Sequence, residues 1–139
     1  MLPEKNIHLF IDEEDATSSF EKKSIYEIDT ISNGSVTNLV CNFIDKIRMS
    51  DKFNLIHVML NKLKIEGKLF LVFIDFEYFR IQLYRNAITQ DEFNAMLSKV
   101  EGLTTIQQLS EFIQKLQRFT IGEYSVINNQ THLIIERKS

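Results

Sequence analysis

The chain has 139 residues, 44% of them hydrophobic, with eleven phenylalanines and a formal net charge of −3. That length fits one domain over 1–139 with a sizeable core, and the scattered Lys and Arg give no basic patch for nucleic acid. Cys41 is the one cysteine, so an internal disulfide is excluded. No apolar run reaches the roughly 20 residues of a membrane span, and the first residues lack a signal-type core, so the chain reads as soluble and cytoplasmic with no membrane partner. A bias toward Asn, Lys, Ile and Phe suggests an AT-rich genome, such as a phage or a low-GC bacterium.

In chain order, Ile7 to Ile11 is a short strand candidate running into Asp12, Glu13, Glu14 and Asp15. Four carboxylates in a row suggest a metal at first glance, but consecutive side chains diverge and no Cys or His completes a ligand set, which favours a solvated loop. Residues 16 to 23 read as a polar connection. Ile25, Tyr26 and Ile28 begin a second strand that fades at the turn pair Asn33 and Gly34. Val36, Leu39, Val40, Phe43, Ile44 and Ile47 then recur at helical spacing, which predicts a helix carrying Cys41 as a small core residue.

Phe53, Ile56, Leu60 and Leu63 predict the next helix, capped by Ser50 or, better, Asp51. Gly67 is expected to stop it at positive φ. Leu69 to Ile74 is an unbroken apolar run, the pattern of a central parallel strand covered on both faces. It ends in Asp75, and ligands in open α/β sheets sit beyond such carboxyl ends.

Beyond it Phe76, Tyr78, Phe79 and Tyr84 alternate with Arg80 and Arg85. This mixture suits either a ring-bearing ligand or a short helix with Phe79 and Leu83 inward and Arg80 outward. Thr89 to Glu92 forms a capping box for a helix of Phe93, Met96, Leu97 and Val100, closed by Gly102, and Thr105 to Gln108 opens another. Phe119 to Ile127 and Leu133 to Ile135, joined by Asn128 and Asn129, read as a hairpin.

The order strand, helix, turn, buried strand, helices and final hairpin resembles the later half of a class I S-adenosylmethionine-dependent methyltransferase. Leu63, Lys64, Ile65, Glu66, Gly67, Lys68 and Leu69 are similar to the family's leucine-lysine-proline-glycine-glycine turn into its fifth strand, with Ile65 for the proline and Glu66 for the first glycine. Asp75, Phe76, Glu77 and Tyr78, and later Ile88, Thr89, Glu92, Phe93 and Asn94, are similar to a subgroup found in glycan-related gene clusters. Phe119, Thr120 and Ile121 stand where that subgroup has a glycine-phenylalanine pair. The resemblance covers roughly residues 24 to 138. It implies a reduced Rossmann-like α/β fold, a three-layer sandwich with a mostly parallel sheet and a C-terminal antiparallel hairpin.

The family holds its cofactor with a glycine-rich loop after the first strand and an acid after the second. Here Gly34, Gly67, Gly102 and Gly122 are the only glycines, with no G-x-G among them. About two dozen residues precede the strand matched to the family's fourth, against the roughly 30 or more of one crossover unit. The first half of the cofactor site is therefore expected to be absent or reduced to one strand. Asp12 and Asn33 are the cofactor-side candidates that the resemblance leaves, and Asp75, Glu77, Tyr78 and Arg80 the substrate-side ones. His8, His57 and His132 lie far apart in sequence, and no hydrolase elbow, Walker loop or Cys-x-x-Cys pair occurs, so no catalytic or metal-binding residue is named.

Three functions fit this reading. The first is a degenerate, non-catalytic methyltransferase-like domain with no cofactor, acting as an interaction or structural subunit with a protein partner or in a homo-oligomer. The second is an S-adenosylmethionine-dependent methyltransferase, glycan-related or completed by a partner chain. The third is a small nucleotide- or sugar-binding module.

Overall fold

The structure is a computed structural model that describes residues 4–12 and 19–139. Its strands are β1 (Asn6–Phe10), β2 (Glu21–Ser24), β3 (Val36–Cys41), β4 (Leu63–Phe73), β5 (Phe119–Ile127) and β6 (Gln130–Arg137). Its helices are α1 (Met49–Lys62), α2 (Phe76–Tyr84), α3 (Gln90–Leu97) and α4 (Ile106–Leu116). The strands form one six-stranded sheet in the order β2-β1-β3-β4-β6-β5. The pairs β1–β2, β1–β3 and β3–β4 are parallel, whereas β4–β6 and β6–β5 are antiparallel. This is the mixed α/β architecture with a terminal antiparallel hairpin that the sequence implied, and β4 lies inside the sheet as its apolarity required.

The register sorts the strand residues into two sets. Ile7, Leu39, Leu69 and Ile135 lie side by side, as do Leu9, Cys41, Leu71 and Leu133. All eight are buried in one cluster with Ile56, Met59 and Leu60 of α1 and Leu109 and Ile113 of α4. The two helices touch through Phe53 and Phe112, whose ring centroids are 5.0 Å apart. The alternate set, Phe10, Val40, Phe70, Val72 and Ile134, points to the opposite face. These five are half-buried and belong to neither apolar cluster. Helices α2 and α3 form a separate small cluster of Phe79, Phe93 and Met96.

Both capping boxes form in full, Thr89 with Glu92 and Thr105 with Gln108. The helix α3 ends at Leu97, however, so Val100 and Gly102 lie in the link to α4. The cap of α1 is Arg48, three residues before Asp51; Asp51 instead sits in the first turn and accepts from Arg48 at 3.1 Å.

Other sequence expectations fail along the first half of the chain. The helix read over Val36 to Ile47 is strand β3 followed by a 3₁₀ turn, Ile44–Lys46. Its helical spacing is a sum of unrelated environments. Leu39 and Cys41 alternate onto the helix-covered face, Phe43 and Ile44 fill the turn, and Val40 points the other way. The strand read at Ile25 to Ile28 is a 3₁₀ helix, Ile25–Thr30, with Ser24 accepting the Tyr26 N–H at 3.3 Å. The strand there is the charged Glu21–Ser24, within the stretch read as a connection. Two strands thus precede β3, as many as were read from sequence, with the second lying earlier in the chain than expected.

Gly67 lies within β4, and Glu66 takes the left-handed backbone with φ 71°. Gly67 is needed for close approach: a Cβ there would stand 2.7 Å from the Val36 carbonyl oxygen. Of the acidic run, Glu13, Glu14 and Asp15 lie outside the described residues, as does 16–18 of the connection.

Candidate functional site

From β1 the sheet grows one way to β2, and from β3 it grows the other way to β4. The carboxyl ends of β1 and β3 therefore flank the topological switch point, where open α/β sheets leave a crevice. Asp12 follows β1 and Lys46 follows β3, and their side chains bridge the two ends at 3.8 Å. Both are exposed enough that this pair positions more than it stabilises.

Beside it lies an open concavity of about 530 Å³, lined by His8, Asn42, Asp45, Lys46, Lys99 and His132 over an apolar floor of Val40 and Val72. His8 and His132, distant in sequence, reach it because β1 and β6 present alternate residues to the same face.

Asp45 is the most constrained group of this set. Its Oδ2 accepts the Ile74 N–H at 2.8 Å, and its carbonyl accepts the Glu101 N–H at 2.7 Å. Its Oδ1 is buried with no hydrogen-bond donor among the described residues. Burial raises its pKa to about 6, against the lowering effects of the Ile74 bond and of Lys52. Lys52 is fully buried on α1, where its Nζ donates to Gly102 O at 2.8 Å and to Thr104 Oγ1 at 2.5 Å. Burial lowers the pKa of that ammonium, and the Asp45 charge opposes the shift. Thr104 is itself buried, and its carbonyl accepts the Phe76 N–H at 3.0 Å. Lys52 and the Asp45 backbone carbonyl thus hold the α3–α4 link, while the Asp45 carboxyl fastens the end of β4 beside it.

Chemically, the concavity offers ammonium and imidazole groups around one carboxyl that burial makes easier to protonate. Cys41 is no nucleophile, since burial pushes its thiol up to about 12. Among the described residues no group of three or more His, Cys, Asp or Glu is placed to hold a metal ion.

The residues named from sequence are scattered around this site. Asp12 stands at its rim. Asn33 lies at the opposite end of the sheet, beside Gly34, whose N–H donates to Asn61 O near the end of α1. Asp75 is buried and caps α2, its Oδ1 accepting the Glu77 N–H at 3.1 Å. Burial raises its pKa. Glu77 and Arg80 form an ion pair along α2 at 2.9 Å; hydrogen bonding to Arg80 lowers the Glu77 pKa. Tyr78 packs edge-on to Phe79, with ring centroids 5.7 Å apart. None of Asp75, Glu77, Tyr78 and Arg80 lines the concavity. Asn42, Asp45 and Lys99 were missed. A strand ending at Cys41 would have placed Asn42 and Asp45 just past a carboxyl end.

No protein-family profile matches this chain, and no curated protein sequence does. Solved structures do resemble it. A SAM-dependent methyltransferase from Methanosarcina mazei has a TM-score of 0.62 at 14% identity over 95% of this chain and 81% of its own. An O-methyltransferase family protein from Burkholderia thailandensis has a TM-score of 0.61 at 16% identity, over 87% of this chain. The matched part is 36% of that protein. The 1,6-didemethyltoxoflavin-N1-methyltransferase of Burkholderia thailandensis, solved with S-adenosylhomocysteine, has a TM-score of 0.57 at 7% identity, over 97% of this chain and 62% of its own. The fold is that of the SAM-dependent methyltransferases.

That fold raises the question whether these residues fit the adenosyl cofactor. Past β1 come Ile11 and Asp12, with Asp12 turned to Lys46. All four glycines lie elsewhere: Gly34 before β3, Gly67 in β4, Gly102 between α3 and α4, and Gly122 in β5. Close approach of backbone to a ligand at this strand end calls for glycine, so the end of β1 does not fit the cofactor on this measure.

Proposed function

We propose that this chain is a methyltransferase-type domain that is not catalytic by itself and serves as an interaction subunit. The observation carrying this reading is a methyltransferase-like sheet whose first strand is followed by Ile11 and Asp12 instead of a glycine turn. Side chains in place of glycine would hold a ligand's charged end away from the backbone N–H groups, so lost hydration would go uncompensated, a cost of several kcal/mol per ion. The half-buried apolar face of Val40, Phe70, Val72 and Ile134 further supports a role in assembly, since such surface is commonly covered by a partner.

A second reading is a working methyltransferase completed by another chain. The solved structures favour it, and so does the position of Asp45 beside the switch point. Methyl transfer can proceed largely by alignment of the acceptor with the sulfonium carbon.

Calorimetric titration of the purified chain with S-adenosylmethionine and S-adenosylhomocysteine tests the first reading. The proposal expects no saturable binding tighter than ~100 μM. Tighter binding would overturn it in favour of the enzyme reading.

A further inference from the structure

The two edges of the sheet are built differently. At one end β2 is four residues long and carries Glu21, Lys22 and Lys23, the short charged form that discourages pairing with another chain. At the other end β5 is nine residues long, has no proline and carries Glu123 as its one charge. Its distal half also exposes Tyr124, Val126 and Ile127, by 58%, 40% and 52%.

The hairpin fixes which backbone groups that edge presents. Asn128 and Asn129 make a two-residue turn with φ of 51° and 63°, the double positive φ of a type I′ turn. In such a hairpin Ile127 and Gln130 exchange backbone hydrogen bonds, and alternation assigns the same to Ser125 and His132. Tyr124 and Val126 then turn their N–H and C=O groups away from β6, and no described strand lies beyond β5.

We infer that this edge pairs with the β5 of a second copy, antiparallel about a two-fold axis at Ser125, making one continuous sheet across the two copies. In that register Tyr124 of each copy exchanges hydrogen bonds with Val126 of the other, so the outward groups of both are satisfied. The two exposed apolar side chains lie side by side on one face. No like charges meet, because Glu123 stands opposite Ile127. Moving the axis to Glu123 would place the two carboxylates against each other. A homodimer closed by a two-fold axis uses the same patch twice, which this self-complementary edge supplies. The pairing is independent of cofactor binding.

Sedimentation equilibrium on the full chain, with its Val126→Pro and Ser125→Cys variants, tests it. Proline at Val126 removes an outward N–H and leaves the bonds to β6 intact, so the variant keeps its circular dichroism spectrum but self-associates at least ~10-fold more weakly. Ser125 faces itself in a non-hydrogen-bonded pair, where Cα atoms stand about 4.5 Å apart, so the cysteine variant forms a disulfide-linked dimer under mild oxidation. Cys41 is buried and does not compete. A Thr120→Cys control stays monomeric on denaturing gels. A wild-type chain that is monomeric at ~500 μM, a proline variant that associates as wild type does, or cross-linking no greater at 125 than at 120 would each overturn the pairing.

Discussion

Asp45 Oδ2 and the N–H of Ile74 stand 2.8 Å apart, so a carboxyl just past β3 fastens the chain as it leaves β4. Burial raises this carboxyl from its ordinary 3.8 to about 6. The native state therefore holds the proton more tightly than the unfolded chain does. The associated stability is fully present below the unfolded pKa, declines as pH rises from about 4 to about 6, and is level above that. A shift of about two units corresponds to about 3 kcal/mol at most. Urea unfolding at pH ~4.5 and ~7 should show wild type losing stability over this window, and Asp45→Asn, which keeps an acceptor for Ile74, losing less. Equal losses in the two proteins would remove Asp45 as the cause.

Lys52 should be among the costliest polar positions to change. Lys52→Met keeps the apolar stem but strips the Gly102 carbonyl and the Thr104 hydroxyl of their donor. We expect a loss of about 2–4 kcal/mol, since each buried group left unsatisfied costs about 1–3. The double variant with Thr104→Val should lose less than the sum of the singles by about 1 kcal/mol. Additive losses in denaturant titrations would mean that the two side chains are not coupled.

Phe73 is fully buried and pairs with Thr131 across β6. Phe73→Ala should cost about 3–5 kcal/mol, the range for emptying a large core site. A loss under ~1 kcal/mol in the same assay would show that the site collapses without penalty.

Gly67→Ala should destabilise by about 1–3 kcal/mol through overpacking, because the added Cβ would meet the carbonyl oxygens of Val36 and Lys64 at 2.7 and 2.8 Å. Both obstacles are backbone, which yields less readily than a side chain. A neutral or stabilising substitution, measured by thermal unfolding, would contradict the packing at this point.

The sequence was most legible where one physical signal acted alone. The run Leu69 to Ile74 marked β4, the paired Thr and Glu or Gln side chains marked the starts of α3 and α4, and Asn128 and Asn129 marked the hairpin. It misled where two signals overlapped. Strand β2 is charged because it lies at an edge, so it carries no apolar alternation to read. Strand β3 and the turn after it bury residues for different reasons that happen to imitate one helical face. That error also hid the candidate site, because Asn42 and Asp45 occupy a strand end only once β3 is seen as a strand. Lys52 could not be singled out as buried from its sequence neighbours, since its partners Gly102 and Thr104 arrive from a distant link.

The buried thiol of Cys41 makes the chain its own unfolding clock. β3 is flanked by β1 and β4, and the sulfur lies on the face closed by α1 and α4. A thiol reagent reaches it only when that central layer opens, and fraying of β2 or of the β5–β6 tip leaves it protected. The rate of Cys41 modification in native buffer therefore reports the opening of the middle of the sheet, with no label or substitution required.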